Sequence, residues 1–502
     1  MSANMVVAGW VVVLCYMATI LFFVVRGARK NRSMADYALG NVSFSPVAVG
    51  LALAASMTSA ATFIINPGFI ALYGVSAVIS YAVVLPIAAM ASLVILTKGF
   101  RRHGSTVRAL TLAQWMGTRY KSPAFALFYA VLSLLLLTFI VLIVVGLTKV
   151  VAATLALSEL SVLVGIVAFV FGYMMFGGAN SMVYTNTVQA VLMLVVAFIL
   201  LGSGHEHFAQ GVHGLLEKLR SIDPALAGTT NPKSFLFRDW WEIGLAQVVV
   251  GVAIVCQPHI ITKSLLLRTE SDVNRYLVVG VITELIFFSV VVVGLWARLT
   301  FPDLTQSGVP MKMDGIVPAY VLHELPVYAG IVVVMGLISA GLSTLEGLIQ
   351  ALSTTLTTDL LVPIAFRGRT EGAAAERSLL LANRACIAVL AVVAAFLSWD
   401  QLQNPKLSVA IFAQNGVYAY FSAAFVPILI GMFFPKAPRL AALVAAPIAV
   451  AVHFTMYYGK IAVPGTLATG ENPGVAAAVA ILVSVLVGGL IVAFGRRDDV
   501  PS

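Results

Sequence analysis

Residues Ser339 to Thr358 read Ser-Ala-Gly-Leu-Ser-Thr-Leu-Glu-Gly-Leu-Ile-Gln-Ala-Leu-Ser-Thr-Thr-Leu-Thr-Thr, a hydroxyl-rich run with one carboxylate, Glu346, inside a stretch of membrane-spanning length. Polar side chains at bilayer depth face a helix bundle or a water-filled path, so the pattern has the chemistry of a cation path. A dehydrated sodium ion takes about five or six oxygens, from hydroxyls and from backbone carbonyls that a broken helix frees. Ser343 and Thr344 offer two hydroxyls and Ala340 a carbonyl; carbonyls of Ala54 and Met57 complete a five-oxygen cage if their helix unwinds. Ser/Thr pairs also serve as packing glue between helices, and spacing alone leaves both readings open.

Two further segments bear on that cage. Ala54-Ala55-Ser56-Met57-Thr58-Ser59 is followed by Asn66-Pro67-Gly68, and five spans later comes Gln257-Pro258-His259. Proline removes a backbone donor and frees a carbonyl, which lipid tolerates only beside protein or water. Interrupted helices at corresponding positions of two halves point to a transporter's midplane site.

The elements that must position these residues are transmembrane helices. The 502 residues are 60% hydrophobic and 10% charged, with a mean hydropathy of +1.00; soluble domains carry roughly 25% charged residues. Thirteen spans of about 20 residues fall near 6–25, 46–70, 76–97, 123–152, 160–178, 184–202, 241–262, 277–299, 328–358, 380–398, 407–434, 440–458 and 474–495. With the N-terminus outside, the inner loops hold 21 of the 30 Lys and Arg, so the positive-inside rule puts the N-terminus outside and the C-terminus in the cytoplasm. The net charge of +9 is thus a topology signal; no clustered, aromatic-interleaved patch suits nucleic acid. The first span reads as a retained helix rather than a signal peptide. Three cysteines, Cys15, Cys256 and Cys386, form neither a disulfide framework nor a metal set. The longest polar loop, 205–240, carries Leu215, Leu216, Leu219 and Ile222 at helical spacing. No soluble module follows Arg497, which argues against a sensor. No nucleophile–base pair at plausible spacing suggests an enzyme, and no obligatory protein partner is evident.

An ordered set of motifs then resembles the sodium/solute symporter family, whose members carry proline, sugars, sialic acid, pantothenate, iodide and monocarboxylates. The set runs from Asp36-Tyr37-Ala38-Leu39-Gly40-Asn41 through the Ala54–Ser59 run to Phe176-Gly177-Gly178 and Tyr184-Thr185-Asn186-Thr187-Val188-Gln189. It continues with Gln257-Pro258-His259 ahead of Arg268 and closes with Ala340-Gly341-Leu342-Ser343-Thr344 ahead of Thr358-Asp359-Leu360. The resemblance implies an all-α membrane protein with a leucine-transporter-like core of two inverted five-helix repeats, alternating access, and Na+ as coupling ion. It divides the chain into an extra helix with its inner loop (1–43), a first repeat (44–202), an outer loop (203–240), a second repeat (241–434), and two C-terminal helices with a short tail (435–502). It implies the main sodium site at Ala54, Met57, Ala340, Ser343 and Thr344. One departure stands out: relatives commonly carry an aspartate where this chain has Asn186, while Glu346 replaces a small or hydroxyl residue. Glu346 and Asn186 are therefore candidates for a second cation site or the inner release path.

In such a core the solute lies beside the two breaks, making Ser56, Thr58, Ser59, Thr62, Asn66, Gln257, Gln414, Asn415 and Tyr418 the solute candidates. The third core helix, apolar from Ala124 to Thr148, has no arginine to clamp a sialic acid carboxylate. Proline carriers resemble one another in placing Trp and Tyr just before Gln-Pro-His, where this chain has Val250 and Ile254. A sugar's hydroxyls would go unpaired in so apolar a pocket. A small carboxylate or pantothenate-like acid fits better, and two segments, 63–68 and 302–305, look like the pantothenate branch. His259 reads as a structural donor near the break, and His205 and His207 as loop residues. Two alternatives stay open: a proton-coupled carrier using Glu346, and a transporter-fold sensor. The expected setting is a multi-pass protein of the plasma membrane, the inner membrane in a bacterium.

Overall fold

A computed structural model describes residues 3–41, 43–59, 61–107, 109–267, 269–306, 308–366, 372–404 and 408–495; Arg268 and the Arg496-Arg497 tail lie outside them. Long Val, Leu, Ile and Ala runs can satisfy their backbone in lipid only as helices. The helices are α1 (Gly9–Ala28), α2 (Pro46–Met57), α3 (Ala61–Tyr73), α4 (Val75–Arg101), α5 (Pro123–Leu155), α6 (Glu159–Met174) and α7 (Ala179–Gly202). After the outer loop come α8 (Trp241–Ile254), α9 (Pro258–Leu266), α10 (Glu270–Thr300), α11 (Val327–Ala365), α12 (Ala373–Gln403), α13 (Val409–Phe433), α14 (Arg439–Gly459) and α15 (Pro473–Phe494). Counting α2–α3 and α8–α9 as one bent span each, these occupy the thirteen expected positions.

Local chemistry sets the helix ends. Pro46, Pro123, Pro258 and Pro473 sit in first turns, where the missing N–H costs nothing. Ser122, Ser158 and Asn472 cap the free amides of α5, α6 and α15, and Thr269 and Asp272 form a capping box on α10.

Both interrupted spans bend by 57°. The first break falls just after Met57; Asn66-Pro67-Gly68 does not interrupt the helix a second time. Instead a π-helical turn, Ala61–Ile65, leads into the α-helical stretch Asn66–Tyr73 with Pro67 in its first turn. In the second span, Pro258 opens α9 directly after the break.

Helix α2 packs against α10, α7 and α11, and α9 lies against α11 and α2, so both breaks face the hydroxyl-rich helix. Gly50 makes this approach close: a Cβ there would stand 2.8 Å from the Tyr276 carbonyl of α10. The motif residues 36–41 and 176–180 meet as a structural joint. Asn41 N–H donates to Asn180 Oδ1 (3.1 Å) and Asn31 Nδ2 to the Phe176 carbonyl (2.9 Å).

The basic loops gather on one face. Arg101 donates to the carbonyls of Leu267 and Thr269, Met34 N–H to Glu376, and Arg119 to the Gly431 carbonyl. On the opposite face, helix Gly211–Ile222 buries Leu215 and Leu219 as its periodicity predicts. There Arg238 pairs with fully buried Glu242 at 2.6 Å.

Candidate ion and solute sites

The break after α2 faces the middle of α11. Ser343 Oγ donates to the Ala55 carbonyl at 2.6 Å and lies 3.1 Å from the Ala340 carbonyl. Thr344 Oγ1 lies 3.3 Å from the Thr58 carbonyl and 3.1 Å from that of Ala340. Five neutral oxygens thus converge in a buried spot between the broken helix and α11. On the α2 side the carbonyls are those of Ala55 and Thr58, one residue beyond Ala54 and Met57. The Ala54 carbonyl still accepts the helical N–H of Thr58 at 3.0 Å. Hydroxyl hydrogens that now bridge carbonyls can rotate away and leave lone pairs for an entering cation.

Glu346 does not join that ring. Buried to 1% exposure, it accepts from Tyr173 Oη (2.6 Å), Thr185 Oγ1 (2.6 Å) and Gln189 Nε2 (3.1 Å), donors on α6 and α7. Gln189 also reaches Tyr16, which meets Ser339. Asn186 points elsewhere, donating to Ser56 Oγ at 2.8 Å. The structure therefore does not bring Asn186 and Glu346 into contact.

Two further charged side chains are buried here, Lys263 and Glu284. Lys263 Nζ donates to Ser56 Oγ (2.7 Å) and to the Ala52 carbonyl (3.1 Å). Glu284, fully buried on α10, accepts from Thr58 Oγ1 at 2.7 Å, and its second oxygen has no hydrogen-bond partner among the described residues. Glu284 is the one charged residue of the stretch 276–297 and Lys263 that of α9, and no local pattern announces either partner.

Beside the breaks lie two cavities that share His259 in their linings. The central one, about 790 Å³, is lined by Ser59, Thr62, Asn66, Gln257, Gln414 and Tyr418 of the nine solute candidates. The other three, Ser56, Thr58 and Asn415, are not among its lining residues. Ser56 is held by Lys263 and Asn186, and Thr58 by Glu284. Asn415 faces His453 and Tyr458 of α14. Helical phase cannot be carried across a break, so Ser56 and Thr58 were not separable from Ser59 by counting. Apolar walls come from Phe139, Leu142, Ile254 and Phe288, and Tyr81 bonds to Gln414.

The second compartment, about 480 Å³, opens from the basic face and is lined by Thr111, Thr262, Lys263, Gln350, Thr354 and Thr355 among others. His259 lines both compartments and forms the wall between them. Gly347 of α11 packs on His259: a Cβ there would lie 3.5 Å from His259 Cβ, an ordinary contact distance. At the outer loop His207 packs on Trp296, and burial lowers its imidazole below the ordinary value, while His205 meets the Gly202 carbonyl. Among the described residues no cluster of three His, Cys, Asp or Glu could hold a metal.

Two bent spans around a midplane cavity, with an oxygen ring at the first break, define a secondary transporter of the leucine-transporter-like architecture. The family profile described as "Sodium:solute symporter family" matches residues 37–468, and the chain belongs to that family; its coupling ion is sodium. The sodium/pantothenate symporter of Haemophilus influenzae is 24% identical over 419 residues, covering 82% of each chain. That of Escherichia coli K12 is 25% identical over 360 residues, covering 70% of this chain and 71% of the other. A solved structure of a Na+-coupled sialic acid symporter, outward-open and substrate-bound, superposes with a TM-score of 0.78 over 97% of this chain and 98% of the other. At 13% identity that likeness is one of fold.

Proposed function

We propose that this protein imports a small organic acid of the pantothenate type together with sodium, by alternating access across a bacterial inner membrane. The observation that carries the solute class is the lining of the central compartment. Hydroxyls and amides from Ser59, Thr62, Asn66, Gln257, Gln414 and Tyr418 face apolar walls, and no Lys, Arg, Asp or Glu lines it among the described residues. An acid bearing an amide, a few hydroxyls and a branched apolar centre matches that mixture. Its carboxylate needs no basic side chain where a half-helix begins, because free amides and the helix dipole favour an anion there. At the start of α9 Pro258 has no N–H and those of Ile260 and Ile261 donate to the Gln257 carbonyl, leaving the His259 N–H and the Gln257 side-chain amide as the donors beside the cavity.

The sodium ion enters the oxygen ring of Ser343, Thr344 and Ala340 with carbonyls of the broken α2. In this reading the ion ties the break to α11 and so favours the state that binds solute. The face carrying the basic loops is cytoplasmic, with the N-terminus outside. His259 and Gly347 then form the inner wall that must part for release into the Lys263 compartment. Uptake of labelled pantothenate into proteoliposomes under an inward sodium gradient, with choline as control, tests the proposal. Accumulation that depends on sodium supports it; equal uptake in choline overturns it.

A further inference from the structure

The oxygen ring is formally neutral: three carbonyls and two hydroxyls. A sodium ion moved into it from water loses hydration and meets no opposite charge within the ring. The buried core beside it shows the complementary imbalance. Glu346 and Glu284 are carboxylates at 1% and 0% exposure, and Lys263, at 4%, is the one buried ammonium near them among the described residues. Asp359 lies further along α11, bonded to Thr111 and Thr358 toward the basic face, and Glu242 already has Arg238.

Glu346 is satisfied by three donors. Glu284 is not. It has a single donor, the Thr58 hydroxyl, one oxygen without a partner, and no basic side chain within ion-pair distance among the described residues. An uncompensated buried carboxylate is costly, as is an uncompensated buried cation. Thr58 joins the two: its hydroxyl holds Glu284 while its carbonyl faces the Thr344 hydroxyl of the ring.

We propose that Glu284 is the counter-charge of the transported sodium ion, acting through Thr58 at the break rather than as a direct ligand. With sodium in the ring, an ionised Glu284 stands one residue's width from the ion, with Thr58 between them. Binding then pins α10 to the broken end of α2, which couples ion occupancy to the position of the break. This rests on the sodium ring proposed above.

The test measures half-saturation for sodium from the sodium-induced rise in melting temperature of the purified transporter, with choline chloride holding ionic strength. Glu284→Gln keeps size and the bond to Thr58, and raises half-saturation about 10- to 100-fold, the scale of one charge at close range in a partly screened core. Glu284→Asp keeps it within about fivefold. Lys263→Met, which leaves Ser56 bonded to Ala52 and Asn186, tightens sodium binding about threefold or more, a change that structural damage does not mimic. The same titration on Ser343→Ala separates the two ideas. If Ser343→Ala weakens sodium while Glu284→Gln matches wild type, the counter-charge is wrong and the ring stands. If Glu284→Gln does not yield folded protein, Lys263→Met decides: unchanged or weaker sodium binding overturns the proposal. If Ser343→Ala leaves sodium binding at the wild-type value, the ring itself is wrong.

Discussion

Replacing Ser343 with Ala removes one oxygen from the ring and changes little else, because the side chain is small and wholly enclosed. Its hydroxyl stands 2.6 Å from the Ala55 carbonyl and 3.1 Å from that of Ala340. Without sodium, the Ala55 carbonyl loses its donor, at a cost of about 1 kcal/mol. With sodium, the ion loses one of its ligands; a polar contact to a charge is worth about 1.5–3 kcal/mol. The difference between the two states, about 0.5–2 kcal/mol, lowers sodium affinity about 2- to 30-fold at about 1.4 kcal/mol per factor of ten. The assay is initial-rate uptake against sodium concentration at saturating solute, with melting temperature in choline buffer as the check on folding. A half-saturation within about twofold of wild type, in folded protein, would falsify the placement of sodium at Ser343.

Glu346→Gln turns a carboxylate acceptor into a neutral amide whose NH2 the Thr185 hydroxyl can accept while donating to the Met182 carbonyl; the bonds lose their charge assistance, and stability falls by about 1–3 kcal/mol in thermal unfolding. Unchanged sodium affinity and Hill slope in that variant exclude a second-cation role for Glu346. Gln414→Ala and Tyr418→Phe raise the solute half-saturation about 5- to 30-fold while leaving sodium half-saturation at saturating solute near wild type; a shift confined to sodium contradicts the cavity assignment. Arg238→Ala strands buried Glu242 at the outer face and lowers stability by about 3–5 kcal/mol, read as a lower melting temperature with unchanged sodium half-saturation.

Much of the architecture was legible because lipid restricts the choices. Apolar length marked the spans; Pro258 marks one break, whereas the other falls after Met57, in the small and hydroxyl-bearing run 54–59, and not at Pro67. The trio Ala340, Ser343 and Thr344 was visible because i, i+3 and i+4 share one face of an unbroken helix. Across the break that rule lapses: a helix advances about 100° per residue, and the non-helical Thr58 and Ser59 erase the phase. Hence the carbonyls that meet α11 belong to Ala55 and Thr58, and Thr58's side chain turns to α10 instead of the cavity. Asn415 was lost for another reason, since its neighbours Gln414 and Tyr418 do face the cavity while His453, on a helix outside the two repeats, claims Asn415 itself. Glu284 and Lys263 stayed invisible because their meaning lies in contacts 226 and 207 residues away along the chain. Glu346 was noticed as an unusual acid, yet only the structure shows its donors on α6 and α7.

The central claim is that sodium drives uptake of a small organic acid through this cavity. Its most direct test is accumulation of labelled pantothenate in proteoliposomes with a sodium gradient, a pH gradient or neither imposed. Concentrative uptake under the sodium gradient alone, abolished by Ser343→Ala at low sodium, is the predicted result. Concentrative uptake under the pH gradient alone, with no response to sodium, would contradict it.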